Sequence, residues 1–562
     1  MRLDLNAAQF DRPLVVGGLL RKALAALVFC GLATAAHASG TWRITKDHWS
    51  AEDEAGFGRF VAAIGASDCS SSQSCLRDPS NPYRKTDQHF IDIDVDCAKW
   101  PYLLRAYYAW KNGLPMSYVD GVSGEGGDLR FTKTANRATG RHDIIDRGGG
   151  IDAPAVIHQM LDTVFSGTYR TDASEKRGVL SDFYSPAPEP GTIRPGSLIY
   201  DVNGHVAIAY KVDEDGRIFY MDAHPDFTIS RSVYGAQFGQ SPARLGGGLK
   251  NWRPFRLIGA HRDDDGHLIG GHMAFAANDE ITDFSIVQYA GTEPNPSKDV
   301  KAARFFYNGA ELGFYEYVRV AVSGGKMSFN PIYELKATMK TLCNDLNDRA
   351  QDVDLDIKDG ISVKDHPGRL PDNIYGSDDT EWEDYSTPSR DARIKTAFAQ
   401  FYKDLSEMIN LWIRRDPRIV YDGVFLQKDL REAYAAQSAA CTITYLSSAK
   451  TPVSMTFDDM THRLFRMSFD PYHCIELRWG AEDAERESCP DGPVKLRWYA
   501  AEQRLRNQPD RAYDAQMGFG LDELNRHVKW SGIDNPLPID IKALIDNMPD
   551  QVAFQPMKPG DR

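Results

Sequence analysis

The 562 residues exceed what one hydrophobic core fills, so two large domains are expected. A 42% hydrophobic share and an 11% aromatic share exclude a disordered chain. With 65 basic against 79 acidic residues the net charge is −14, and no Lys/Arg run is present to track a phosphate backbone, so nucleic acid is not an expected partner.

In chain order, residues 1–38 read as a secretory signal peptide: Arg21 and Lys22, an apolar run from Ala23 to Ala35, then Ala36-His37-Ala38 before the cleavage point. The run falls short of the roughly 20 residues that span a bilayer, so no stable membrane span is expected. Phe29 ahead of Cys30 is too bulky for lipoprotein processing. The segment carries four basic and two acidic side chains, and its removal takes the mature chain to −16. The expected location is periplasmic or secreted.

Seven cysteines remain after Cys30 is removed. Cys69 with Cys75, Cys474 with Cys489, and Cys343 with Cys441 make the simplest pairing, although sequence leaves the connectivity open. Cys97 is then left over, either as a reactive thiol or as a small buried hydrophobe.

Apolar spacing predicts a helix over Ala51–Ile64, with Phe57, Phe60, Val61 and Ile64 on one side, followed by a Ser-rich loop. Phe90 to Val95 alternates like a strand. Asp96-Cys97 then introduces an aromatic helical face of Leu103, Leu104, Tyr107, Tyr108 and Trp110. Gly121 to Gly127 reads as part of a long irregular segment, and Ala153 to Phe165 as a helix. Leu198–Tyr200, His205–Val212 and Arg217–Ala223 are expected strands, the last two joined by the turn Asp213-Glu214-Asp215-Gly216. The first domain is expected to span 39–290, with a boundary near Gly291–Lys298. Residues 299–562 are expected to be mainly α-helical, with one stripe on Ile332, Leu335, Met339, Leu342 and Leu346 and another on Phe398, Phe401, Tyr402, Leu405, Ile409 and Trp412. Between the stripes, an acidic stretch of about 353–390, including Asp378, Asp379, Glu381, Glu383 and Asp384, is expected as an exposed loop.

The chemistry suggested by these positions is that of a thiol. A cysteine becomes a nucleophile as thiolate, which a helix N-terminus and a neighbouring imidazole favour. Cys97 stands at such an entry. His205 shares a strand face with Ala207 and Ala209, small enough to admit a facing helix, and Tyr220, Asp222 and His224 share a face of the next strand. Asp222 is the expected carboxylate behind the ring, with His224 as its rival. The Cys97 N–H, and Gln88 less specifically, are candidate oxyanion donors. Asp222, His224 and Asp226 lack a completing His or Cys pair, so no metal is expected there, and no cofactor.

Asp96-Cys97, Pro195-Gly196-Ser197-Leu198-Ile199-Tyr200, Gly204-His205-Val206-Ala207-Ile208 and the polar residue on the following strand together resemble the NlpC-type branch of the papain-like cysteine peptidases. The resemblance covers residues 80–258. It implies an α+β papain-like domain with a helix packed on a small antiparallel sheet, a Cys97–His205–Asp222 triad, and amide hydrolysis in peptide or peptidoglycan-type substrates. Lys99-Trp100 replace the small-then-apolar pair usual after that cysteine, and Pro101 predicts a later helix start. Two other readings stand beside it. One is transglutaminase-like acyl transfer. The other is a non-catalytic envelope binding or scaffolding protein whose helical half meets an unknown protein partner.

Overall fold

The protein is described here from a computed structural model over residues 40–87, 92–174, 181–224, 227–295, 299–326, 328–375, 380–511 and 515–549. The signal segment expected at 1–38, together with Gln88, Phe90, Ile91, Asp226, Asp378 and Asp379, lies outside the described residues. The architecture is α+β, and no helix among the described residues is long and apolar enough to cross a membrane.

Helix α1 (Ala51–Gly65) starts at Ser50, whose hydroxyl accepts from the Asp53 N–H while the Asp53 carboxylate accepts from the Ser50 N–H. Its buried Phe57, Phe60, Val61 and Ile64 are the residues expected from the apolar spacing. Helix α2 (Lys99–Lys111) is buried on nearly every side, from Trp100 to Trp110. Each large side chain buried there contributes about 1.5–3 kcal/mol, which makes α2 the organising element of the first core. Pro101 does not delay its start. At the third helical position the missing N–H has no intrahelical partner to lose, so Trp100 remains helical despite the proline after it.

Six strands form one antiparallel sheet: β1 (Phe183–Tyr184), β2 (Leu198–Asp201), β3 (His205–Val212), β4 (Ile218–Ala223), β5 (Ile229–Val233) and β6 (Gly248–Trp252), in the spatial order β1-β6-β2-β3-β4-β5. The β3–β4 hairpin turns at Gly216, whose φ of +76° a side chain would strain. Alternation divides the sheet into two faces. Leu198, Tyr200, Val206, Ile208, Met221 and Ala223 pack in the core that holds α1 and α2, whereas Ile199, Ala207, Ala209, Ile218 and Tyr220 pack with Phe238 and with helix α3 (Phe314–Val322).

That second face carries the chain past the expected boundary at 291–298, since Phe305 and Leu312 also belong to the core under Ala207 and Ala209. Two further expectations need correction. The stretch containing Gly121 is not irregular but pairs Met116–Ser123 with Arg137–Ile144, with register shifts around Gly121. Of the strand expected at Phe90–Val95, the described Asp92–Val95 is in no strand.

The second half is mainly helical: α4 (Pro331–Asp359), α5 (Pro388–Ile413), α6 (Leu426–Ala440) and α7 (Pro493–Ala501) are its principal helices, and Thr442–Leu446 pairs with Pro452–Thr456 in a hairpin. Leu335, Met339, Leu342 and Leu346 of α4 meet Phe398, Phe401, Leu405 and Ile409 of α5 in one core, as the two stripes predict. The acidic stretch is not one exposed loop. Asn330 caps α4, Gly360 ends it at φ +75°, and the helix therefore runs through Val353 and Asp356, both buried; Thr380–Tyr385 is a short helix, α5 begins at Pro388, and the described residues 364–375 are irregular. The three expected disulfides are present, Cys69–Cys75, Cys343–Cys441 and Cys474–Cys489, and Cys97 is free. Cys343 lies on α4, while Cys441 lies just beyond the end of α6 rather than within a helix.

Candidate active site

Cys97 lies two residues before α2, in the turn that leads into it. The Asp96 carboxylate accepts from the Ala98 and Lys99 N–H groups, each at 3.0 Å, and so takes the donors at the helix entrance. The Cys97 Sγ is 3.8 Å from the carbonyl of Gly204, at the very start of β3, and the Val206 N–H also points at it. The sulfur therefore touches the backbone on both sides of His205. Among the described residues its hydrogen bond runs to that carbonyl rather than to the imidazole.

The approach differs from the one expected. Ala207 and Ala209 turn toward α3, not α2, because α2 packs on the opposite face against Val206 and Ile208. Cys97 reaches β3 at its first residues, where the chain has just left the tight turn from Asp201 and Gly204 adopts φ +88°.

Behind His205 the polar chain is continuous. The ring Nε2 is 2.5 Å from Asp222 Oδ2, and the other carboxylate oxygen accepts from Ser230 Oγ at 2.7 Å. Ser230 is directly opposite Asp222 on β5, and its hydroxyl is also 2.8 Å from His224 Nε2. His224 is itself 3.8 Å from Asp222 and stacks on His205 with centroids 5.7 Å apart. Asp222 is thus the direct partner of His205, and His224 reaches the carboxylate mainly through Ser230. Sequence reasoning passed over Ser230. Its signal was the alternation Ser230, Arg231, Ser232 on an edge strand, which places two buried hydroxyls on one face.

Burial dominates the electrostatics. It pushes the Cys97 thiol up to about 12, helped by the Asp96 charge and opposed by the Val206 N–H. Burial, with Arg393 next, lowers His205 against the pull of Asp222, and burial with Arg390 and Arg393 holds His224 far below the ordinary imidazole value. Burial alone would raise Asp222, but the adjoining His224 and the His205 hydrogen bond hold its carboxyl below the usual carboxylate range. The resting site is a neutral thiol, a neutral imidazole and a carboxylate. Asp222 keeps a proton on Nε2, so Nδ1 of His205 is the nitrogen with a lone pair to accept another.

Gln88 and Asp226 lie outside the described residues. Asp222 and His224 are in none of the groups among the described residues whose geometry suits a metal ion. Arg390 and Arg393 come from α5, so the helical half contributes charge to this site. No family model, curated protein or solved structure matches the chain.

Proposed function

We propose that the first half is a papain-like thiol hydrolase of the NlpC type that cleaves amide bonds in peptides such as those of the cell wall, in an exported protein. The observation that carries this reading is the meeting of Cys97, the one free cysteine among the described residues, with the backbone flanking His205, whose ring is tied to a buried carboxylate. The amino acids doing this work lie more than a hundred positions apart, and three disulfides consume every other described cysteine.

In the reaction, Nδ1 of His205 takes the Cys97 proton as the sulfur attacks the amide carbonyl, so the thiolate forms only as it is used. The imidazolium, stabilised by Asp222, then gives that proton to the leaving amine. Water, deprotonated by the same ring, releases the acid from the thioester. A thiol that rests neutral needs this coupled transfer, which makes His205 indispensable.

The test is amine release from cell-wall stem peptides by the mature chain. C97A and H205A are expected to abolish turnover, and D222N to lower kcat by roughly 10²–10⁴-fold, the range for loss of an effective base. Equal turnover in wild type and C97A would remove the reading. A labelled amine incorporated in place of water would assign the same site to acyl transfer.

A further inference from the structure

A second group of titratable side chains lies in the helical half, away from Cys97. His366, Asp470, His473 and Glu502 come from three separate stretches: the segment after α4, the loop 468–474, and the C-terminal cap of α7. The side chains of all four have no exposure to solvent. His366 Nε2 is 2.7 Å from Asp470 Oδ2 and 3.8 Å from Glu502 Oε1, and His473 Nε2 is 3.6 Å from Glu502 Oε2.

Burying two carboxylates is costly unless each lone pair finds a partner. Among the described residues, neither Glu502 oxygen has a hydrogen bond, and neither does His473 Nε2. Arg506 is the nearest guanidinium to Glu502, at 3.7 Å, beyond hydrogen-bond reach. The two Glu502 oxygens lie between the rings, Oε1 toward His366 and Oε2 toward His473.

The outer contacts orient the rings for a ligand there. His366 Nδ1 is 2.6 Å from the Pro367 carbonyl, and His473 Nδ1 is 3.1 Å from Asp491 Oδ2. Each acceptor fixes a proton on Nδ1, so Nε2 is the nitrogen turned inward; without an ion it carries a proton, which the Asp470 and Glu502 carboxylates hold on His366 and His473 well above the ordinary imidazole value, and an ion binding there displaces that proton. Asp470 Oδ1 accepts from the Tyr472 N–H at 2.7 Å, so Oδ2 is the oxygen turned to the centre. Trp498 stacks on the His366 ring at 4.1 Å and closes that side. The bridge Cys474–Cys489 begins at the residue after His473 and holds that loop in place.

We infer that His366 Nε2, Asp470 Oδ2, His473 Nε2 and Glu502 bind a divalent first-row transition ion of the zinc class, as a closed structural site. Two imidazoles and two carboxylates suit zinc and its neighbours and not calcium or magnesium, which take oxygen ligands. Bonds of about 2.0–2.1 Å to a tetrahedral ion separate ligand atoms by about 3.3 Å. His366, Asp470 and Glu502 have such atoms within 4.8 Å of one another, and His473 Nε2 joins them through Glu502 Oε2 at 3.6 Å, so closure asks for small shifts of the first three and a larger one of His473. Four protein ligands and no exposure leave no position for substrate, which makes the role one of joining three segments. Two other groups of suitable residues among the described ones do not compete. Cys474, Glu476 and Cys489 spend both sulfurs in a bridge, and Asp263, Asp265 and His267 form a partly exposed turn.

The experiment uses the full mature chain, stripped with chelator, offered zinc or cobalt and freed of unbound ion. About one equivalent of zinc should be retained, the cobalt form should show the visible absorption of a tetrahedral site, and chelator should lower the Tm. E502Q and H473Q should weaken retention by at least roughly 10–100-fold while the Cys97 thiol is still titrated normally. A folded wild-type chain that retains no zinc and gives no cobalt spectrum overturns the inference, leaving a proton-bridged network. So does retention unchanged in a folded variant. Should both variants fail to fold, an anomalous-scattering map of zinc-loaded wild type decides: a peak between His366 and Glu502 supports the site, and its absence there overturns it.

Discussion

The sulfur of Cys97 faces a carbonyl in the resting protein, and the imidazole that would activate it is engaged from behind by Asp222. His205 and His224 are both kept neutral by burial, with the α5 arginines adding repulsion. Below the unfolded value of about 6.5 the unfolded chain takes up protons that the folded site refuses. Stability contributed by these residues is therefore present above that pH and is lost on acidification through it, until the folded values are reached. Comparing unfolding free energies of wild type and H224Q from pH 7.5 to 5.0 should show a shallower loss in the variant, by up to about 1.4 kcal/mol per pH unit below 6.5. Parallel curves would contradict that assignment. At this scale sequence was informative for Cys97, His205 and Asp222, because odd cysteine count, strand alternation and short-range order all survive in one dimension. Ser230 was not legible: a serine on an edge strand acquires meaning only from the residue opposite it.

Individual elements show where local pattern prevails and where packing does. The hairpin around Asp213–Gly216 and helices α1, α4 and α5 follow from turn chemistry, caps and apolar period. The face of β3 was misread, because alternation tells which residues share a side and not which neighbour covers it. Both sides of this sheet are buried, so small Ala207 and Ala209 accommodate α3 as readily as α2 could have used them. The paired strands at Met116–Ser123 and Arg137–Ile144 were hidden by glycines and by a long polar connection. The bridge between α4 and the end of α6 spans 98 residues of sequence. In the chain-entropy account, closing such a loop is worth about 4–5 kcal/mol, so C343S/C441S should lose roughly 2–5 kcal/mol of unfolding free energy in denaturant titration. An unchanged midpoint would show that the two helices hold each other without it.

Across the whole molecule, the helical half is seated on the domain that carries the thiol. Arg511 makes a buried ion pair with Asp201 at 2.7 Å, at the turn that leads into His205, and also donates to the Gln237 carbonyl. Tyr375 stacks on Phe131 at 4.9 Å, Arg130 pairs with Glu383 at 3.1 Å, and α4 runs along the edge strand β5, where burial and Asp348 push Asp345 up to about 7 beside Ser232. The turn before His205 is thus held from both halves. R511Q strands a buried Asp201 and should cost about 3–5 kcal/mol, and the loosened seat should raise the rate at which iodoacetamide labels Cys97. Loss of stability with no change in labelling would show that Arg511 holds the halves together without governing access. None of this docking was legible beforehand, since the contacts join residues hundreds of positions apart and no local pattern marks them.

Thiol catalysis passes through a covalent bond to the Cys97 sulfur, which acid-quenched intact-mass analysis of the mature chain mixed with a cell-wall stem peptide detects. An acyl adduct is expected that maps to Cys97 in wild type and is absent in C97A and H205A. Cleavage of the peptide by folded C97A at the wild-type rate, or an adduct on any residue other than Cys97, would contradict it.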